Sequence, residues 1–130
     1  MKAPKFNYIK ANSLQQTLEL LDELGEEGRI IAGGQSLMPT LNMRLSQPNT
    51  LIDINGLQDL EGITLEGEIV KIGALTRHID VAQSSIISEH LSLISKAMPH
   101  VAHVAVRNRG TIGGSIALAD PAAEMPACAL

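Results

Sequence analysis

The sequence has no tryptophan, one phenylalanine (Phe6) and one tyrosine (Tyr8), an aromatic share of 2%. A core therefore has to be filled by Leu, Ile, Val, Ala and Met, and a platform of rings for stacking bare bases is excluded. The single cysteine, Cys128, has nothing to pair with inside the chain. That excludes an internal disulfide framework and makes the cytoplasm the default setting, with Cys128 read as a small buried apolar residue. No window approaches eighteen uninterrupted apolar residues, and the opening Met-Lys-Ala-Pro-Lys-Phe-Asn lacks the apolar stretch of a secretion signal, so neither membrane insertion nor export is expected. An excess of positive charge is missing as well. Ten Lys and Arg against fourteen Asp and Glu give a net charge of −4, which offers no footprint for nucleic acid or an anionic membrane. Internal repeats and low-complexity runs are also absent.

What the chain does have is 45% hydrophobic and 18% charged residues over 130 positions, the composition and size of one folded domain. Asn7-Tyr8-Ile9 reads as a short strand. Ser13 then opens a Ser-x-x-Gln capping box, and Leu14, Leu18, Leu21 and Leu24 recur on one side of a helix that Gly25 ends. Arg29 to Ala32 is a short apolar run expected to be a buried strand, Leu37 to Leu45 a helix with Pro39 in its first turn, and Leu51 to Ile54 another strand closed by Asn55-Gly56. Ile63 to Glu66 and Ile69 to Ile72 flank Gly67-Glu68 as a hairpin. Beyond it, Thr76 is expected to cap a short helix through Ala82, Ile86 to Ala97 to form a second, and Asp120-Pro121 to start another, with Asp as cap and Pro first. The change from βαβ alternation to antiparallel pairing near Asn55 to Asp59 suggests two subdomains, about 1–56 and about 57–130.

Two glycine pairs stand out: Ile30-Ile-Ala-Gly-Gly-Gln-Ser-Leu37 and Thr111-Ile-Gly-Gly-Ser115. Glycine permits positive φ and close approach of a ligand to backbone amides. Where a strand runs into such a loop, several N–H groups can converge on one anion, so phosphate is the natural guest. Neither G-x-G-x-x-G nor G-x-x-x-x-G-K-[ST] occurs, which sets aside a nicotinamide Rossmann site and a P-loop.

Longer strings carry more information. Ala32-Gly-Gly-Gln-Ser-Leu37, Asn42-Met-Arg-Leu45, Leu51-Ile-Asp-Ile-Asn55, Ile72-Gly-Ala-Leu-Thr76, Val106-Arg-Asn-Arg-Gly-Thr-Ile-Gly-Gly-Ser115 and Ala119-Asp-Pro-Ala-Ala-Glu124 together resemble, in order and over nearly the whole chain, the FAD-binding medium subunit of molybdenum hydroxylases of the carbon monoxide dehydrogenase and xanthine dehydrogenase type. The resemblance implies an α+β fold with α/β-type subdomains, a flavin domain of the p-cresol methylhydroxylase and vanillyl-alcohol oxidase type. It implies that the FAD pyrophosphate sits between the two glycine loops, with Ile30, Ile31, Ala32, Gly33, Gly34, Gln35, Ser36 and Leu37 forming the first and Thr111, Ile112, Gly113, Gly114 and Ser115 the second. In both, the amides are the expected phosphate ligands. Glu124 matches a position where the family places a carboxylate near the adenosine ribose; its other reading is a first-turn helix acid. The implied partners are a large subunit with the molybdenum cofactor and a small subunit with 2Fe-2S clusters, from which electrons reach FAD and then an external acceptor. No catalytic residue is required of this chain, since the flavin performs the redox chemistry.

The family's medium subunit is longer, and residues 121–130 are helix-like yet stop without a cap, so the expected fold is one truncated at its C-terminus. Weak flavin retention and self-association through an unfinished apolar face follow as expectations. Two alternatives stay open: a remnant with the same fold that binds partner subunits but no FAD, and a phosphate-ligand domain of another family. His78, His90, His100 and His103 lack the Cys or acidic company of a metal shell and read as solvated or hydrogen-bonded histidines. Ser36, Ser84 and Ser85 lack a His–Asp partnership. Arg107 and Arg109 are read as structural or interface residues, and Asp53 and Asn55 as caps of the turn that follows their strand.

Overall fold

The computed structural model describes Met1 to Leu130 throughout, and the chain forms two compact units, Met1–Gln58 and Asp59–Leu130. In the first, β1 (Asn7–Lys10), α1 (Leu14–Leu24), β2 (Gly28–Ile31), α2 (Leu37–Asn42) and β3 (Thr50–Asp53) follow in sequence. The three strands make a parallel sheet in the order β1-β3-β2. Parallel strands need crossover connections, which α1 and α2 supply. The last strand in sequence is thus the central one. Its Leu51 and Ile52 are fully buried while β2, expected to be buried, is a half-exposed edge.

The capping box closes around α1 with a variation. Ser13 Oγ accepts from Gln16 N at 3.1 Å, but Gln16 Oε1 reaches Asn12 N, one residue further back than the Ser13 amide, at 2.7 Å. Gly25 ends the helix at φ +52. The stripe that meets the sheet is displaced from the leucine pattern. Thr17 is buried, while Leu14 and Leu18 are 50% and 52% exposed. The hydroxyl of Thr17 is satisfied by Ser13 O at 3.0 Å, so a threonine can take the core position without an orphaned polar group. Helix α2 is shorter than the expected Leu37 to Leu45, because Arg44 turns to φ +57 and breaks the ladder.

The second unit opens with the expected hairpin, β4 (Ile63–Glu66) and β5 (Ile69–Ile72), antiparallel, with Gly67 at φ +62. Short helices follow: α3 (His78–Gln83), α4 (Ser85–His90), α5 (Ser92–Ala97), α6 (Val104–Arg107), α7 (Ile112–Leu118) and α8 (Glu124–Cys128). Val81, Ile87, Met98, Val101, Ile112 and Met125 form its core, and Cys128 packs half-buried at the edge, the small apolar role expected of it.

Three expectations are corrected in this unit. Thr76 caps no helix: α3 starts two residues later, and Thr76 Oγ1 instead accepts from Gly62 N and donates to Gly62 O, both at 3.0 Å. The single helix from Ile86 to Ala97 is two, broken at Leu91, whose φ of −127 and ψ of 62 are not helical. Asp120-Pro121 starts a turn rather than a helix. Asp120 Oδ1 accepts from Ala122 N at 2.9 Å, and α8 begins only at Glu124. At Leu91 and Asp120 a break or a polar side chain competes locally with helix, and at Thr76 a partner fourteen residues earlier takes the hydroxyl; periodicity registers neither.

Candidate functional site

Strand β2 delivers the chain at Ile30 and Ile31 into the first glycine loop, and α2 takes it up again at Leu37. Gly34 stands at φ +69, a backbone that an L side chain rarely adopts. The loop is held from inside. Gln35 Nε2 donates to Gly33 O at 3.0 Å, Met38 N to Gly34 O at 3.0 Å, and both the amide and hydroxyl of Thr40 to Ser36 O. None of these bonds uses the N–H groups of Gly33, Gly34, Gln35 and Ser36, and those four donate to no group of the chain. Gly33, Gly34 and Gln35 are only half-exposed. Successive unpaired amides in a partly buried loop make a concavity for an anion. A hydrogen bond to a charged acceptor is worth about 1.5–3 kcal/mol there. The hydroxyl of Ser36, which caps nothing, adds a further donor.

The same chain turn is tied to the neighbouring strand. Asn55 Nδ2 donates to Ala32 O at 2.8 Å and to Asp53 Oδ1 at 2.6 Å, while Asn55 N donates to that same Asp53 oxygen at 2.8 Å. Tyr8 OH donates to the other carboxylate oxygen, Oδ2. Partial burial pushes the Asp53 carboxyl up, but the hydrogen bonds from Tyr8 and Asn55 and the charge of Lys10 outweigh it, leaving the pKa below its ordinary 3.8. The accepting carboxylate in turn holds the Tyr8 hydroxyl protonated to higher pH than usual. A carboxyl whose pKa is lower in the folded than in the unfolded chain stabilises the fold above its unfolded pKa, and that contribution is lost as pH falls through the folded value. The destabilisation caused by Asp53→Asn is therefore expected to be present at pH 6 and to shrink steadily below about pH 4, near the unfolded carboxyl pKa. Urea midpoints for both chains across pH 6 to 2.5 check it; a gap that is constant with pH would remove the carboxylate from the account.

The second glycine segment, in the other unit, is built differently. Buried Thr111 caps α7, its Oγ1 accepting from Gly114 N at 3.1 Å. Ile112 N donates to Thr76 O at 3.1 Å, Gly113 N to Ala74 O at 2.8 Å, and Ser115 N to Thr111 O at 3.0 Å. The amides from Ile112 to Ser115, expected as phosphate ligands, are thus all engaged within the chain. The glycine pair is the first turn of a helix and not a loop. A Cβ on Gly113 would fall 2.6 Å from Ala74 Cβ and 2.7 Å from Ala74 O, so glycine is required there for close packing, whereas one on the exposed Gly114 would meet only the Thr111 hydroxyl. What this segment leaves free is the half-buried hydroxyl of Ser115 and the exposed backbone face at Gly114.

Glu124 is the first residue of α8, which packs against α7. Its half-buried carboxylate takes part in no ion pair. His78, 4% exposed, has an Nδ1 with no partner in the fold. Burial pushes its pKa down, the Glu124 carboxylate opposes this and Arg107 reinforces it, so the ring is neutral at pH 7. Arg107 itself is structural: its Nη1 donates to Val101 O and Ala102 O, both at 2.9 Å, holding the bend where Ala102 has φ +46. No group of three or more His, Cys, Asp or Glu comes together as a metal shell, and no helix is long and apolar enough to cross a membrane.

The profile of the FAD-binding domain in molybdopterin dehydrogenase matches residues 4–130. The chain belongs to that family. It is 49% identical over 126 residues to the 6-hydroxypseudooxynicotine dehydrogenase complex subunit alpha of Paenarthrobacter nicotinovorans, covering 97% of this chain and 43% of that protein. It is 42% identical over 130 residues to the carbon monoxide dehydrogenase medium chain of Hydrogenophaga pseudoflava, covering all of this chain and 45% of that one. A solved carbon monoxide dehydrogenase from the same organism superposes with a TM-score of 0.95 at 43% identity, over 98% of this chain and 44% of the other. The FAD-binding domain described here thus spans less than half the length of these relatives, which are subunits of dehydrogenase complexes. Within it, the residue that pattern reading undervalued is Asn55. The sequence marks it as an amide two residues beyond a strand-ending Asp, which reads as a turn cap.

Proposed function

We infer that this chain is the FAD-binding part of a molybdenum hydroxylase medium subunit, an oxidoreductase subunit carrying electrons from iron–sulfur clusters on a small subunit through FAD to an external acceptor. The large subunit would carry the molybdenum cofactor. The observation that carries this reading is the set of four unpaired amides at Gly33, Gly34, Gln35 and Ser36, in a positive-φ loop at the carboxyl end of a parallel strand, the end where ligands of α/β sheets bind. Those amides suit FAD phosphates, with Ile30, Ile31, Ala32 and Leu37 fixing the two ends of the loop. In the second unit, taken by itself, Thr111 and Ile112 set the start of α7, Gly113 makes room for Ala74, Gly114 is exposed, and Ser115 keeps a hydroxyl that bonds nothing in the fold, the donor it would offer to FAD. Glu124, a carboxylate without an internal cation, suits the two ribose hydroxyls as a bidentate acceptor. FAD supplies the redox chemistry when bound; the chain binds and orients it and needs no nucleophile or general base. The lone Cys128 agrees with a cytoplasmic setting.

Added FAD is expected to raise the melting temperature by mass action, by about 2.7 kcal/mol of stability at a hundredfold excess over Kd. Thermal scans with FAD, with ADP and with neither decide it: a rise with ADP equal to that with FAD, or no rise at all, would remove the flavin reading. Self-association is expected in the same sample, because Leu14 and Leu18 in one unit and Ile116 and Leu118 in the other leave apolar side chains in water. Light scattering that gives the mass of one chain at all concentrations would rule it out.

A further inference from the structure

We propose that Asn55 is the positioning residue of the phosphate loop: by clamping Ala32 O from the end of the neighbouring strand, it holds the amides of Gly33 to Ser36 in their anion-receiving arrangement. This rests on the FAD reading above. The sheet register makes the clamp possible. β2 and β3 run parallel with Ile31 opposite Asp53, so the chains leaving both strands emerge side by side at the same end. Ile54 N continues the ladder to Ile31 O at 3.2 Å, and the next residue, Asn55, is the first whose side chain can reach across to Ala32 O. Ala32 is the residue immediately before the four unpaired amides, so fixing its carbonyl fixes the peptide plane that carries the Gly33 N–H.

The clamp is itself oriented. A primary amide has two donors and one acceptor oxygen and can rotate to exchange them. Asp53 Oδ1 accepts from both the Asn55 backbone and its Nδ2, which forces the amide nitrogen toward Ala32 O and its oxygen away. Tyr8 OH holds the other carboxylate oxygen and so sets the carboxylate plane. The chain Tyr8, Asp53, Asn55, Ala32 thus runs from β1 across the central strand to the glycine loop. None of these four needs to touch the flavin. Their effect reaches it only through the amides.

Asn55→Asp tests this with a side chain of the same shape that lacks the donor. Its carboxylate would face Ala32 O and Asp53, acceptor against acceptor. FAD affinity is expected to fall about tenfold, while riboflavin, which has no phosphate, keeps the affinity it has for the unmodified chain. NMR order parameters of the Gly33 to Ser36 amides, without ligand, are expected to fall while those of Leu51 and Ile52 stay rigid. Parallel loss of FAD and riboflavin affinity, or an unchanged FAD affinity, would overturn the proposal. If the unmodified chain binds neither flavin, the functional reading fails on its own, and the loop order parameters still decide the clamp: unchanged values in Asn55→Asp overturn it. Should Asn55→Asp not fold, Asn55→Ala and Asp53→Asn carry the same two measurements, with the smaller loss expected for Asp53→Asn because Asn55 keeps its donor.

Discussion

Gly34→Ala is expected to weaken FAD binding by about ten- to a hundredfold, the loss of one to two charge-assisted hydrogen bonds at about 1.4 kcal/mol per factor of ten. Space is not the obstacle. A Cβ there would sit 3.4 Å from Ile31 Cδ1 and Met38 Cγ, ordinary contact with flexible side chains. The obstacle is φ +69, which costs an L residue about 1–2 kcal/mol to hold. If the loop relaxes to negative φ instead, the peptide between Gly34 and Gln35 rotates and its N–H leaves the group of four. Gly25 gives the control, since it stands at φ +52 with nothing within 4 Å and lies at the end of α1, away from the loop. Gly25→Ala should lower the melting temperature by a similar amount and leave FAD affinity unchanged. Equal effects of the two substitutions on FAD affinity would mean that Gly34 matters only to the fold. Asn at position 34 should recover part of the affinity, because it tolerates the left-handed region.

Gly113→Ala should be the most damaging single methyl in the second unit. The added Cβ would lie 2.6 Å from Ala74 Cβ, 2.7 Å from Ala74 O and 2.9 Å from Ala74 Cα, and backbone cannot move aside as a side-chain tip can. Separating the segments also breaks Gly113 N to Ala74 O and strains Ile112 N to Thr76 O. Overpacking of about 1–3 kcal/mol plus about 1 kcal/mol for the broken hydrogen bond gives a loss of roughly 2–4 kcal/mol, a large share of a small domain's stability. Urea unfolding followed by far-ultraviolet circular dichroism measures it. Ser115→Ala is the contrasting case. Its hydroxyl bonds nothing in the fold, so stability should stay within about 0.5 kcal/mol of the parent. If Gly113→Ala proves as mild as that, the close approach to Ala74 is not a constraint on the unit.

Much of the architecture was readable as pattern. Ser13 and Gly25 bracket α1 because capping is a local event between residues three or four apart, and Gly67 marks the hairpin because a two-residue turn demands its φ. The glycine loop was legible for the same reason. At Thr76 and along α1, where expectation and structure part, a distant partner intervened. Thr76 looks like a cap until Gly62, fourteen residues earlier, takes its hydroxyl. Leu14 and Leu18 carry the right period, but the sheet meets α1 along Thr17, and a period states only that a stripe exists, not where its partner lies.

The two Gly-Gly pairs make the division plain. Read as strings they are alike, apolar residues, two glycines and a hydroxyl, and each was expected to offer its amides to a phosphate. Folded, one keeps four N–H groups unpaired and the other spends its own on Thr76, Ala74 and Thr111. Glycine's permissiveness is a property of the residue and so is visible in the chain. Which use is made of it, a turn through positive φ or the touching of two backbones, depends on what lies opposite. For Gly113 that is Ala74, thirty-nine positions away, and for the loop at Gly33 it is Asn55, brought alongside only because β3 inserts between β1 and β2. Local chemistry set the elements and the loops; strand order and close packing chose which amides remain unpaired.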